Sequence, residues 1–252
     1  MGTIEIEAND HVAVLRFNNG VSNTVSSDFV NDLSDALKKT KNEFKGQVIA
    51  GGKKFFSIGL NLPELLTFGR SAMTDFWYRF NQAIYDIYTH PLPTAAAIAG
   101  HAPAAGTIFA IASDFRFAAE GRKLIGLNEV KLGIPAPYIA VLMLSQILRN
   151  QAAMAMLYQG EFIEPAQAKE IGLIDQIVEQ DKVEDRALEK IKEIAALPAP
   201  ALSAIKANRV EDIRVKFERN HKEQHEIFLN CWFGDSTQEL LAKAAENFKP
   251  NR

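Results

Sequence analysis

The chain has 252 residues, a net charge of −3, 47% hydrophobic and 23% charged residues, and one cysteine, Cys231. That is long enough for a sizeable core, and the composition is that of an ordinary soluble globular protein. Basic residues form no run longer than Lys38-Lys39 or Lys53-Lys54, which argues against a nucleic-acid surface or a membrane patch; one cysteine rules out an intrachain disulfide, and no apolar run reaches the ~18 residues of a membrane span.

The stretch from Met1 to Asp10 is polar and alternating, so a signal peptide is not expected and a cytoplasmic location is. Ile4 to Glu7 and Val12 to Phe17 read as two strands joined at Asn9-Asp10. After a polar loop from Gly20 to Val25, Ser26 or Ser27 caps a helix in which Phe29, Val30, Leu33, Ala36 and Leu37 recur at helical spacing. Gln47 to Ala50 is a short apolar strand ended by Gly51-Gly52. Phe55 to Leu65 then reads as a strand, a turn at Gly59, and a helix with Asn61 as N-cap, Pro63 in the first turn and Glu64 three residues after the cap. This is either a well-capped surface helix or a turn that aims the Leu60 N–H into a site.

Ser71 to His90 is a long helix carrying Phe76, Phe80, Ala83, Ile84 and Ile87 on one face, widened by Trp77 and Tyr78. Such a stripe is core, or the wall of a pocket for an acyl chain. Pro91-Leu92-Pro93 stops the helix. Thr94 to Ala99 reads as a buried strand, Gly100 to Ala105 as a tight turn, and Gly106 to Ser113 as a short helix apolar on nearly every side. The first turn of a helix has unpaired N–H groups with partial positive charge. A strand that delivers a turn and a buried helix start is therefore a site for a developing oxyanion, although the same pattern also occurs as plain α/β core.

Phe115 to Ala118 is a further strand, and Leu124 to Gly126 is strand-like. Glu129 follows between apolar neighbours, as a solvated or capping residue or as a catalytic one. Apolar helices cover Ala140 to Leu148 and Ala152 to Gln159; a third begins at Glu164-Pro165 and closes at Gly172, before a last strand from Ile174 to Val178. From Val183 the chain is helical and charged. The break at Leu197 to Pro200 divides a core, residues 1–197, from a C-terminal helical region, residues 198–252, with helix expected to Phe248. Phe217, Phe228, Trp232 and Phe233 are too many aromatics for a solvated tail, so they pack on the core, on another subunit, or on both. His221 and His225 share the i, i+4 spacing without a third ligand, so no metal site is expected.

Several of these segments, in order, carry a family resemblance. Phe56-Ser57-Ile58-Gly59-Leu60-Asn61-Leu62 resembles the first signature of the crotonase (enoyl-CoA hydratase/isomerase) superfamily. Ala97 to Gly106 resembles the second, with Ser113-Asp114 at the family's small residue and Asp; Ala105 stands where the family usually has Gly. Ile125 to Glu129, with Leu132-Gly133-Ile134 and Pro137, resembles the third in the version typical of Δ3,Δ2-enoyl-CoA isomerases, and Ala168 to Asp175 resembles a late Ala-x-x-x-Gly-Leu-hydrophobic-Asp segment. The resemblance covers roughly residues 4 to 180. It implies an α/β fold, a crotonase-like spiral of ββα units with a C-terminal helical trimerisation region, assembled as a homo-trimer or a dimer of trimers. It also implies an acyl-CoA thioester with its carbonyl between the N–H groups of Leu60 and Ala105. Ser57, Gly59, Asn61 and Gly106 are further substrate-binding residues by their place in these motifs, and Phe76 and Phe80 of the apolar stripe, with Trp77 and the C-terminal Trp232 and Phe233, are candidates to line the acyl pocket. Coenzyme A enters as part of the substrate, along the loops Val21 to Thr24 and Ser57 to Leu62, and no separate cofactor is implied.

Hydratases of the family hold a water between two glutamates. One of those positions is Ile108 here and the other is Glu129. One carboxylate is enough for an isomerisation, taking a proton from C2 of a 3-enoyl-CoA and returning it at C4. Apolar neighbours would raise its pKa toward neutrality, as that shuttle requires. The expected function is an acyl-CoA double-bond isomerase with Glu129 as base and acid. The alternatives are an enoyl-CoA hydratase, another crotonase-type reaction using Asn128 or His101, or a non-catalytic acyl-CoA binder.

Overall fold

The computed structural model describes residues 2–246. Strands β1 (Ile4–Asn9) and β2 (Val12–Phe17) form an antiparallel hairpin, with Ile4 opposite Phe17 and Asp10 in the turn at φ +56°. The chain then repeats one theme. Helix α1 (Ser27–Glu43) leads to β3 (Gly46–Ala50), and α2 (Leu62–Leu65) with α3 (Arg70–Tyr88) leads to β4 (Thr94–Ile98). Then β5 (Ala102–Pro103) and α4 (Ala105–Ala112) lead to β6 (Phe115–Ala119), which is followed by β7 (Ile125–Gly126). One turn of 3-10 helix (Glu129–Leu132), α5 (Tyr138–Ile147), α6 (Asn150–Gln159) and α7 (Pro165–Glu170) precede β8 (Gln176–Val178). Three helices close the described chain: α8 (Val183–Ala195), α9 (Ala199–Trp232) and α10 (Asp235–Ala245).

The long strands make one six-stranded sheet in the order β1-β2-β3-β4-β6-β8, parallel from β2 onward. A second layer consists of very short strands. Phe55 pairs with His101 and β5 pairs with β7, both parallel. Each turn of the chain thus lays a long strand in one sheet, a short strand in the other, and then a helix. The inner strands of the main sheet, β2, β3, β4 and β6, are covered on both faces, as parallel sheets require. Val14, Val48, Ala95, Ala97 and Phe117 pack against Val183, Ala187 and Ile191 of α8, whereas the alternate residues Leu15, Ile49, Ala96 and Ala118 face the main core.

Local chemistry explains most of the boundaries. Ser26 caps α1 by accepting the Phe29 N–H. Asn61 precedes α2 without making a side-chain cap; its amide donates to Glu64 Oε2 at 3.0 Å, and Glu64 Oε1 accepts the Ser27 N–H at 3.1 Å. Glu64 thus satisfies the start of α1 instead of its own helix. The segment Gly100 to Ala105 is more than a tight turn, because β5 lies inside it. The Leu197–Pro200 break is a helix start: Pro198 is the N-cap of α9, and Pro200 stands in its first turn, where a missing N–H has no cost.

The C-terminal helices are anchored to the core. Trp77 of α3 stacks on Phe228 of α9, and Phe217, Phe228 and Trp232 are buried. Asp114 accepts from the Thr94 N–H at 2.8 Å, from Lys206 Nζ at 2.7 Å, and from Arg209. Burial lowers the Lys206 pKa while Asp114 opposes that shift. The expected helix end at Phe248 lies outside the described residues.

Candidate active site

The second layer of short strands brings two turns together. Val25 bridges Leu60 in parallel: the Val25 N–H donates to Gly59 O at 2.9 Å, and the Asn61 N–H donates to Val25 O at 3.0 Å. This bridge does not use the N–H of Leu60, which faces the other way. Across from it, Ala105 is the first residue of α4, so its N–H has no intrahelical partner.

Two close approaches fix the spacing. Gly59 has φ +105°, and a β-carbon built there would stand 3.1 Å from Ala104 Cβ and 3.7 Å from the Ala105 nitrogen. A β-carbon on Gly106 would stand 2.5 Å from the Ser57 carbonyl oxygen. Only glycine lets these backbones meet. Ser57 is fully buried behind the turn, donating to Asn23 O at 2.7 Å and accepting the Gly59 N–H at 3.3 Å. Ala104 holds φ +50° and ψ −119°, an uncommon conformation for a residue with a side chain, which orients the peptide that carries the Ala105 N–H.

Leu60 and Ala105 line one cavity of about 340 Å³, which Ile58, Trp77, Phe80, Ile108, Asn128 and Glu129 also border. Apart from Asn128 and Glu129 its wall is almost entirely apolar. Glu129 opens the 3-10 turn after β7 and is 7% exposed, and its Oε2 is buried without a hydrogen-bond partner. Burial pushes its pKa up to about 7, while the backbone amides of Glu129 and Asn128 pull the other way. Near neutral pH both the protonated and the ionised form of this carboxyl are therefore populated. Ile108, the second side chain into α4 after Gly106, presents a hydrocarbon to the same cavity.

The residues singled out in the sequence are thus distributed over two shells of structure. Leu60, Ala105, Glu129 and Phe80 border the cavity; Ser57, Gly59, Asn61 and Gly106 stand behind it, shaping the two turns. Phe76 lies elsewhere, in the core, stacked on Phe80 and edge-on to Phe68. On a helix Phe76 falls about 40° to one side of Phe80 and Trp77 about 60° to the other, and only the Trp77 side opens on the cavity. Trp232 and Phe233 of the C-terminal region do not reach it; Ala244 of α10 does. Phe162, from the loop before α7, was not foreseen either, because nothing in its neighbourhood links it to residues a hundred positions away. His101 is a bridge residue of the short-strand layer rather than a turn residue, paired with Phe55, and its Nδ1 accepts the Leu124 N–H at 3.0 Å. Lys53 pairs with Asp181 and Lys54 lies over the Phe55 ring. Among the described residues no group of three or more His, Cys, Asp or Glu is placed to hold a metal ion, and no helix is long and apolar enough to cross a membrane.

Comparisons with known proteins point to one family. The model of the enoyl-CoA hydratase/isomerase family matches residues 7–251. The chain is 30% identical over 255 residues to human enoyl-CoA delta isomerase 1, mitochondrial, covering 99% of this chain and 84% of that protein. It is 28% identical over 260 residues to a probable enoyl-CoA hydratase of Bacillus subtilis, covering 99% of each. The crystal structure of human mitochondrial Δ3-Δ2-enoyl-CoA isomerase superposes with a TM-score of 0.93 at 28% identity, covering 98% of both chains.

Proposed function

The chain belongs to the enoyl-CoA hydratase/isomerase family and is an enzyme of that family, and from this premise we propose that it is an acyl-CoA double-bond isomerase. It converts a 3-enoyl-CoA to the trans-2-enoyl-CoA. The observation that supports this reading is that Glu129, a buried carboxyl, borders the same cavity as Leu60 and Ala105, with Ile108 where a second carboxylate would be needed to hold a water.

The chemistry follows from those groups. The thioester oxygen lies between the two N–H donors. Glu129 takes the proton from C2, and the negative charge moves onto that oxygen as an enolate. Donors already in position stabilise it without reorganising, each contributing roughly 3–4 kcal/mol to lowering the barrier. Glu129, now protonated, delivers the proton to C4, and the double bond comes to rest between C2 and C3, in conjugation with the carbonyl. A carboxyl with a pKa of about 7 can both accept and return that proton near neutral pH. The apolar wall of Trp77, Phe80 and Ile108 holds the acyl chain and keeps water from the enolate. The reading includes a cytoplasmic location and a homo-trimer or dimer of trimers, and it asks for no cofactor beyond the CoA of the substrate.

A paired assay tests it: conversion of trans-3-hexenoyl-CoA beside hydration of crotonyl-CoA. Isomerisation well above hydration is expected. Dominant hydration would replace this reading with the hydratase one, which the Bacillus subtilis relative's name supports.

A further inference from the structure

Thr107 is fully buried in the first turn of α4, two residues after Ala105. It does not border the cavity. Its hydroxyl donates to the Ala102 carbonyl at 2.5 Å and accepts the Gly126 N–H at 2.8 Å. Those two groups belong to β5 and β7, the two-residue strands that pair Ala102 with Ile125 and Pro103 with Gly126. Ala102 lies three residues before Ala105, and Gly126 lies three residues before Glu129. One hydroxyl therefore joins the start of the helix that presents an N–H donor, the strand that leads into it, and the strand that leads to the carboxylate.

A ladder this short is weak by itself. Ala102 and Ala104 donate to Leu124 O and Gly126 O, and Pro103 between them has no N–H to give. The hydroxyl spans the ladder from inside, where no water competes for either bond. Nothing else about Thr107 calls for a polar side chain, because its neighbours along α4 are all apolar and buried.

We propose that Thr107 is a positioning residue: its hydroxyl clasps β5 to β7 and so fixes the spacing between the Ala105 N–H and the Glu129 carboxylate. This rests on the isomerase reading for its catalytic consequence, since proton transfer to and from an enolate is steeply sensitive to that spacing. A misplacement of about 1 Å can cost about a hundredfold in rate.

The test compares Thr107→Val, which keeps the shape and loses both hydrogen bonds, with Thr107→Ser, which keeps the hydroxyl. Thr107→Cys, with a weaker donor and acceptor, is the third variant. Each full-length protein is assayed for kcat and KM on trans-3-hexenoyl-CoA. Each is also titrated with acetoacetyl-CoA, whose enolate absorbs in the near ultraviolet and reports the oxyanion site without turnover. Thr107→Val should lose roughly ten- to a hundredfold in kcat with KM within about threefold, and its bound enolate band should fall. Thr107→Ser should stay within about threefold of wild type in both. If Thr107→Val does not fold, Thr107→Cys should be at least about tenfold slower than Thr107→Ser.

Wild-type kcat and enolate band in Thr107→Val would overturn the proposal. So would equal losses in the valine and serine variants, or in the cysteine and serine variants, because a packing role does not distinguish the hydroxyl. Wild-type protein that forms the enolate band but does not isomerise would remove the isomerase reading alone, and the band in the variants would still decide the role of Thr107. No band in wild type would remove both.

Discussion

Glu129 is where the residue-scale physics is sharpest. In the folded protein its proton is held up to about pH 7, against 4.5 for an ordinary glutamate, because burial disfavours the charge. Two consequences have definite signs. As the proposed base, Glu129 has to be ionised in the free enzyme, so kcat/KM should rise about tenfold per pH unit below 7 and level off above it, as an initial-rate pH profile would reveal. A flat profile from pH 5 to 8 would mean that another group takes the proton. For stability the direction is reversed. The folded chain binds this proton more tightly than the unfolded chain, so the stabilisation is complete below pH 4.5 and is lost as pH rises through 7, about 3 kcal/mol in all. Glu129→Gln is neutral throughout and escapes that loss. It should lower kcat by roughly 10²–10⁴-fold, keep acyl-CoA affinity, and resist denaturant better than wild type at pH 8 but not at pH 4.5. Glu129 was legible in the sequence as a glutamate among apolar neighbours. The position of Phe76 was not, because a helical stripe gives a face about 100° wide and a cavity wall occupies only part of it.

At the scale of elements, the turns carry the proposed N–H pair and the helices hold them. The pattern of α4, apolar except for Thr107, is explained by burial of every one of its eight residues. Such a helix has no solvent face, so periodicity could announce its burial but not its direction. The strand β5 escaped notice because two residues have no period, and its partner β7 lies more than twenty positions on. Gly106 shows what the turns demand. With Ser57 O 2.5 Å from where its β-carbon would be, even Gly106→Ala must push the Ser57–Leu60 turn away from α4. Activity should drop at least about tenfold and stability by about 1–3 kcal/mol, read from initial rates and a denaturant melt. Unchanged activity would mean that the two turns move independently of the N–H pair. The late motif has a structural explanation. Asp175 accepts the Arg116 N–H at 2.6 Å and pairs with its guanidinium at 3.2 Å, while Arg116 Nε donates to Leu173 O. This locks β8 to β6 and gives that motif its fixed aspartate without any contact with the cavity.

For the whole molecule, the C-terminal helices are both a cover and a wall. They are pinned to the sheet at Asp114, whose carboxylate faces a nearly buried Lys206. Asp114→Asn leaves that ammonium without its charge partner and should cost about 3–5 kcal/mol, read as a fall in the denaturation midpoint. A change under about 1 kcal/mol would mean that Lys206 reaches water when the pair is broken. The same helices continue to α10, whose Ala244 closes the cavity, so loosening them should raise KM as well. The proposed assembly predicts a mass three or six times that of one chain by light scattering, and a stable monomer would exclude it.

The sequence by itself determined the order of the long strands and the helices, the two glycine turns, the buried helix after the second of them and the lone glutamate. Each of these is written in local chemistry: alternation, capping, left-handed glycines, an apolar run. The family resemblance rests on those same short segments and needed no coordinates. Only the tertiary structure decided which residues share a wall. Phe162, Ala244 and Trp77 border one cavity with Glu129 because segments far apart in the chain stack on one another, and no spacing along the chain records a neighbour brought in across the fold. It also separated the residues that line the cavity from those that shape it, placing Ser57, Gly59 and Gly106 behind the N–H pair, where close backbone contact rather than ligand chemistry requires them.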